Sequence, residues 1–176
     1  MNYFDFYEIP VSFFPDEKLL QQRYYRLSKQ YHPDFYANEP AEKQAEILEL
    51  STLNNKAYQT LSSFEKRLEH ILEINNMLVE GEKYALSQAF LMEMLDINER
   101  LMDLEMDYDE QGLEAINTSV SALAKAIEAQ IMEQGKGFES LSAVLQTQRL
   151  EQVKDAYYRK KYLLRIKDSL NKFAAR

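Results

Sequence analysis

His32-Pro33-Asp34 sets an imidazole and a carboxylate on either side of a proline. Such a pair could move a proton, hold a cation or contact another molecule, and the backbone bears on that choice. Proline has no amide hydrogen and drives the preceding residue out of the helical region. A helix therefore ends near His32, and both side chains stand in an exposed polar turn suited to contact. The other histidine, His70, lies between Glu69 and Glu73 in a helical pattern and reads as an ordinary surface residue.

An acid/base or metal-dependent enzyme built from His32 or His70 and the abundant carboxylates has only their number in its favour. A helical di-metal site needs Glu-x-x-His pairs that repeat, and none repeats here. With no cysteine there is no thiolate nucleophile, disulfide or Cys-ligated metal. The expectation is a chain with no catalytic residue, no metal and no cofactor.

Elements must position the turn, and composition says which kind. The 176 residues hold four Gly and four Pro and are rich in Leu, Glu, Gln, Lys, Ala and Met, so an all-α fold is expected. A hydrophobic content of 45% excludes a wholly disordered chain. The net charge of -8 opposes nucleic-acid binding and makes a protein the expected partner. No apolar run approaches the roughly 20 residues of a membrane span, and the first eight residues lack a signal peptide's pattern. A soluble, cytoplasmic protein with no membrane partner is expected.

The pattern predicts a short helix over Tyr3 to Ile9, stopped by Pro10, and a second capped by Asp16. In the second, Leu20, Tyr24, Leu27 and Tyr31 share a face, while Gln22, Arg23, Arg26 and Lys29 share the opposite one. A cationic helix face is by itself an ordinary solvated face. After the turn, Pro40 opens a third helix with Ile47, Leu50, Asn54, Ala57, Tyr58 and Leu61 on one side. It should pack on the second as an antiparallel hairpin. A fourth helix runs from Phe64 to about Ile74, with Phe64, Leu68, Ile71 and Leu72 inward.

The polar stretch from Asn75-Asn76 to Gly81-Glu82 marks the domain boundary, giving domains 1-76 and 82-176. Three more helices are predicted, over about Ser87 to Asp107, Glu110 to Glu133 and Glu139 to Phe173, forming a three-helix bundle. The last has two apolar directions, one from Leu141, Val144 and Leu145 and one from Leu150, Val153, Tyr157 and Leu164, which predicts a bend near Gln146 to Gln148. Nine acids against one Arg between Glu93 and Glu114, and nine bases against three acids from Arg149 on, favour packing the first and last bundle helices together.

Three motifs now stand in order: Asp5-Phe6-Tyr7-Glu8-Ile9, the basic helix leading into His32-Pro33-Asp34, and Leu53-Asn54-Asn55-Lys56-Ala57-Tyr58. Together they resemble a J-domain. The resemblance implies that Arg23, Arg26, Lys29, His32, Pro33 and Asp34, with Tyr25 and Asn55, contact a DnaK/HscA-type chaperone and stimulate its ATP hydrolysis. The chain itself would be a non-catalytic activator. Phe35 departs from the pattern, since Lys is frequent there in J-domains.

An acidic three-helix bundle in place of a Gly/Phe-rich linker and cysteine-rich module resembles the HscB family, J-proteins of iron-sulfur cluster assembly. Ala89-Phe90-Leu91-Met92-Glu93-Met94-Leu95-Asp96 is similar to the segment by which that family holds an IscU-type scaffold. The resemblance implies scaffold contacts at Leu91, Met92, Leu95, Asp96, Glu99 and Asp103, joined by Tyr158. Asp96 stands where Glu is usual. From periodicity alone, Phe90, Met94, Ile97, Leu101 and Leu104 make the core stripe, and Leu91, Leu95, Met102 and Met106 are either further core or an exposed patch. A J-domain protein whose bundle serves another client or self-association is the alternative.

Overall fold

The computed structural model describes residues 1–174, and the described residues form helices and no strand. In order these are α1 (Tyr3–Phe6), α2 (Glu17–Gln30), α3 (Ala41–Ser62), α4 (Phe64–Ile74), α5 (Gln88–Met106), α6 (Glu110–Gly135) and α7 (Ala143–Ala174). Single 3-10 turns occupy Pro33–Tyr36 and Phe138–Ser140. The last two positions of the expected bundle, 175 and 176, lie outside the described residues. The all-α expectation holds, and among the described residues no helix is long and apolar enough to cross a membrane. By contacts the chain divides into two compact units, residues 1–78 with 135–142, and residues 79–134 with those from 143 on.

In the first unit the helix ends follow local chemistry. The Asp16 carboxylate accepts the amide hydrogens of Lys18 and Leu19 at 2.8 and 3.2 Å, satisfying two of the orphan donors that open α2. The first helix is shorter than the predicted Tyr3 to Ile9. Glu8 takes a left-handed conformation (φ 54°), its N–H donates to the Asp5 carbonyl, and the Ile9 N–H reaches back to the Phe4 carbonyl, both at 3.0 Å. These two bonds are a Schellman ending, completed by burial of Phe4 and Ile9. Asn76 (φ 56°) closes α4 in the same way, with Asn76 N–H to the Glu73 carbonyl and Met77 N–H to the Leu72 carbonyl.

The helices α2 and α3 pack antiparallel as expected, because Tyr24 stacks on Tyr58 at 4.4 Å while Ser28, one turn further along α2, meets Asn54, one turn earlier in α3. Leu20 and Leu27 face Ile47, Ala57 and Leu61 in a core completed by Phe4, Tyr7, Leu68, Ile71 and Leu72. Each such side chain contributes roughly 1.5–3 kcal/mol by leaving water.

A buried polar hub sits in this core. The Tyr7 hydroxyl donates toward Asn54 Oδ1 (2.9 Å) and the Asn54 carbonyl (3.2 Å), and Asn54 Nδ2 donates to the Tyr24 carbonyl (3.1 Å) and Ser28 Oγ (2.9 Å). Both amide hydrogens and the amide oxygen of Asn54 are used, so its burial leaves nothing unsatisfied. Burial, aided by the nearby Tyr24 and Tyr58, pushes the Tyr7 phenol above its ordinary value and keeps it a donor.

Residues 135–142 pack within this unit. A Cβ on Gly135 would stand 2.8 Å from Phe13 Cβ, so only glycine allows that approach. Phe138 meets Phe13 edge-on at 5.1 Å, and Ser12 Oγ donates to Glu139 at 3.2 Å.

His70 corrects the surface reading made from sequence. It is buried, its ring stacks on Tyr3 at 4.5 Å, and its Nε2 accepts the Tyr3 N–H at 3.1 Å. Arg67 is buried on the same helix, donating from Nε to the Phe13 carbonyl at 3.0 Å and from Nη1 to the Leu61 carbonyl. It ties the Pro10-to-Pro15 loop to the end of α3.

In the second unit the core stripe of α5 is as predicted, with Phe90, Met94, Ile97, Leu101 and Leu104 all buried. They meet Leu113, Ile116, Val120, Ile127 and Ile131 of α6 and Leu150, Val153, Tyr157, Leu163 and Ile166 of α7. The first and last of these helices touch, with Phe90 edge-on to Tyr162 at 5.9 Å. Cations of α7 pair with Glu82 (Lys154, 2.8 Å) and with Glu128 of α6 (Lys160, 3.3 Å).

The bend predicted near Gln146 to Gln148 does not occur: α7 runs unbroken from Ala143. Val144 and Leu145 are exposed, so there is no second inward direction to reconcile. The chain breaks earlier, where Leu141 is extended (ψ 154°).

Candidate functional site

The end of α2 and the following turn present the residues that the sequence singled out. Tyr31 N–H completes the helix at the Leu27 carbonyl (2.8 Å), and the Tyr36 hydroxyl donates to the Gln30 carbonyl (2.9 Å), folding the turn back on the helix end. His32 is extended (φ −74°, ψ 122°), as a residue before proline must be. Its Nδ1 accepts the Asp34 N–H at 3.3 Å. The imidazole thereby orders the turn, while the Asp34 carboxylate remains exposed with lone pairs free for a donor. Gln44 Nε2 donates to the Ala37 (3.2 Å) and Glu39 (2.8 Å) carbonyls, bracing the far side. Phe35 is also exposed, its ring 5.5 Å from that of His32.

Arg23, Arg26 and Lys29 rise one turn apart on α2 toward this loop, and Tyr25 is exposed beside them. Glu8 joins the two arginines, with Oε2 2.9 Å from Arg23 Nη1 and 3.4 Å from Arg26 Nη2. Sequence reasoning missed this contact, because nothing local says that the left-handed residue after α1 lies against α2. Asn55 is exposed on α3 and accepts the Tyr24 hydroxyl at 3.1 Å, so its side chain is tied to the hairpin.

The second set of candidates lies on α5. Leu91, Met92 and Leu95 are exposed (44%, 62% and 53%), and Asp96, Glu99 and Asp103 are exposed beside them. The choice left open by periodicity is thus decided: this arc is a surface patch opposite the buried stripe. Ser87 Oγ accepts the Phe90 N–H at 3.3 Å and opens the helix beneath the patch. Arg100 Nη1 stands 3.8 Å from Asp96.

Tyr158 sits in a different setting. Its ring stacks on Tyr84 at 4.5 Å and 6°, and its hydroxyl donates to Glu82 at 3.1 Å. Tyr84 in turn donates to Asp155 at 3.3 Å. Lys154, hydrogen-bonded to Glu82, holds that carboxyl below its usual value against the opposing effect of burial, and the Tyr158 hydroxyl adds to the lowering. Burial raises both phenols, so Tyr84 and Tyr158 stay donors. This cluster clamps residues 82–84 to α7, a structural use of Tyr158 that no local pattern announces, because its partners lie more than 70 positions away. Among the described residues no group of three or more His, Cys, Asp or Glu is arranged to hold a metal ion.

Comparison with known proteins bears on the family and the fold. A family model described as the HSCB C-terminal oligomerisation domain matches residues 86–171. A co-chaperone protein HscB homologue of Vibrio cholerae serotype O1 (strain M66-2) is 31% identical over 153 residues, covering 86% of this chain and 90% of that protein. The structure of the chaperone HscB from Vibrio cholerae superposes with a TM-score of 0.55 at 27% identity, over 97% of this chain and 99% of that one. The crystal structure of human co-chaperone protein HscB gives a TM-score of 0.67 at 25% identity, over 97% and 81%. Shared helical architecture and identity along most of both chains lead to one conclusion: the chain belongs to the HscB family of co-chaperones.

Proposed function

We propose that the chain brings an IscU-type iron-sulfur scaffold to a DnaK/HscA-type chaperone and stimulates that chaperone's ATP hydrolysis, promoting cluster transfer. The observation that carries this reading is a pair of exposed surfaces of different chemistry on different units: a braced, cation-flanked His32-Pro33-Asp34 turn and an acid-rimmed apolar patch on α5.

In this reading Arg23, Arg26 and Lys29 steer toward an acidic chaperone surface, and Tyr25 and Asn55 border the contact. Asp34 accepts hydrogen bonds from a chaperone cation, and His32 holds the turn in the receptive shape. The chaperone performs the hydrolysis, and this chain biases its conformation without a catalytic group, metal or cofactor of its own. Leu91, Met92 and Leu95 bury apolar surface of the scaffold at roughly 25 cal/mol per Å², while Asp96, Glu99 and Asp103 select a basic one. Tyr158 bears on the scaffold site through the clamp on residues 82–84. The setting is the cytoplasm.

Asp34→Asn tests the reading. It keeps the side chain's shape and removes its charge, so ATPase stimulation should fall at least about tenfold, matching the loss of a charge-assisted hydrogen bond of about 1.5–3 kcal/mol. Scaffold affinity measured by calorimetry should not change. Equal loss of both activities would contradict the two-surface arrangement. The matched family domain is described as an oligomerisation module, which favours a second reading in which the bundle self-associates. Sedimentation of the chain alone over a range of concentrations separates the two.

A further inference from the structure

The exposed apolar arc on α5 does not end at Leu95. Met102 and Met106 are exposed to 64% and 90%, more than any of the three side chains before them. Leu91 and Leu95 form a pair four residues apart, and Met102 and Met106 repeat that pair eleven residues later. Eleven residues turn a helix only about 20° past three full turns and advance it about 16 Å, so the two pairs lie in line on one face. Isolated exposed methionines are ordinary, but four apolar side chains in line, with Met92 beside them, mark one face of the helix as apolar.

The polar neighbours of this line are distributed unevenly. At about 100° per residue, Glu99, Asp103 and Asp96 fall together on the flank that also carries Met92, and all three are exposed. The segment from Glu93 to Asp107 holds six acids, these three included, against the single cation Arg100, which already faces Asp96. A second copy of this chain docking through its own α5 face would bring carboxylates against carboxylates. Charge therefore favours a partner with cationic groups. Flexible thioethers suit the distal pair to a surface that must be fitted by repacking.

We propose that the scaffold-docking face of α5 continues through Met102 and Met106. Its partner then presents two apolar contact points about 16 Å apart, bordered along one side by lysines or arginines. This deepens the scaffold reading above and rests on it.

The test uses the full chain carrying Met102→Gln with Met106→Gln, titrated calorimetrically with purified apo scaffold protein of the IscU type. Glutamine keeps length and helix propensity at two exposed sites, so circular dichroism and chaperone ATPase stimulation without scaffold should be unchanged. The dissociation constant should rise at least about tenfold, the usual consequence of removing two anchoring side chains. Glu99→Lys with Asp103→Lys should weaken binding and flatten its salt dependence. An unchanged dissociation constant in the methionine variant, beside lost binding in Leu91→Ala with Leu95→Ala, would overturn the extension alone. Unchanged binding in both variants would overturn the scaffold reading with it. Loss of a self-associated species with unchanged scaffold binding would assign the distal pair to a second copy and also overturn the proposal.

Discussion

The turn after α2 and the outer face of α5, the two proposed contact surfaces, are built by opposite means. The turn is polar, and each part is held by a named bond: His32 to Asp34 N–H, Tyr36 to the Gln30 carbonyl, Gln44 to the Ala37 and Glu39 carbonyls. Behind it stands the Tyr7–Asn54 hub, which locks α1, α2 and α3 together. The face of α5 has no such bracing, because helix geometry alone lines up its side chains and the core stripe opposite fixes its rotation. A polar contact needs atoms placed to fractions of an ångström, whereas an apolar one needs area. Single changes should therefore act sharply in the first region and cumulatively in the second.

That contrast can be broken most directly from the apolar side. Leu91→Ala with Leu95→Ala should weaken scaffold binding by up to about a hundredfold, as expected for paired anchors, with scaffold-free ATPase stimulation unchanged. Loss of stimulation in that variant would mean that the two surfaces are not separate in function. The next largest effect is expected from the bracing of the polar side. Asn54→Ala removes three of the four hub bonds, leaves the Tyr7 hydroxyl only its longer bond to the backbone carbonyl of residue 54, and should cost about 1–3 kcal/mol in urea unfolding of the first unit, with the α5 patch still able to bind. A change below about 0.5 kcal/mol would show that the hub does not hold the hairpin.

The smallest effect concerns acid. Burial, with the Met1 amino group adding to it, lowers the His70 pKa, although Glu73 Oε2 lies 3.8 Å from Nδ1 and favours the charged form. The Tyr3 N–H also requires an unprotonated Nε2. A histidine lowered in the fold binds its proton more readily when unfolded, so stability falls as pH drops below about 6.5 toward the lower folded value. The slope from this one group is at most about 1.4 kcal/mol per pH unit. Amide exchange of Tyr3 and its neighbours should accelerate over that window, while α5 stays unaffected. His70→Gln, which cannot charge, should remove the dependence; a dependence that persists would place its origin elsewhere.

Much of the fold was legible because its signals are local. Asp16 and Ser87 cap the helices they precede, Pro10 and Pro33 end segments, and periodicity marked the inward faces of α2, α3 and α5. The polar turn was legible for the same reason, since proline fixes the backbone of its neighbour wherever it occurs. What failed were the residues whose partners are remote. His70 reads as surface until Tyr3, 67 positions away, is laid on it, and Glu8 has no evident use until Arg23 and Arg26 are beside it. A signal was available for Arg67 and His70, since both lie among the apolar positions of α4, but a charged or ionisable residue there is read as polar by default.

The sequence by itself determined that the chain is helical, where most helices begin and end, and that a polar turn follows a cationic helix. Only the tertiary structure decided which apolar residues stay outside. Leu91, Leu95, Met102, Val144 and Leu145 are as hydrophobic as the core and share its spacing. The physical reason is that periodicity fixes the phase of a side chain around its own helix, while burial depends on whether another element comes to meet that phase.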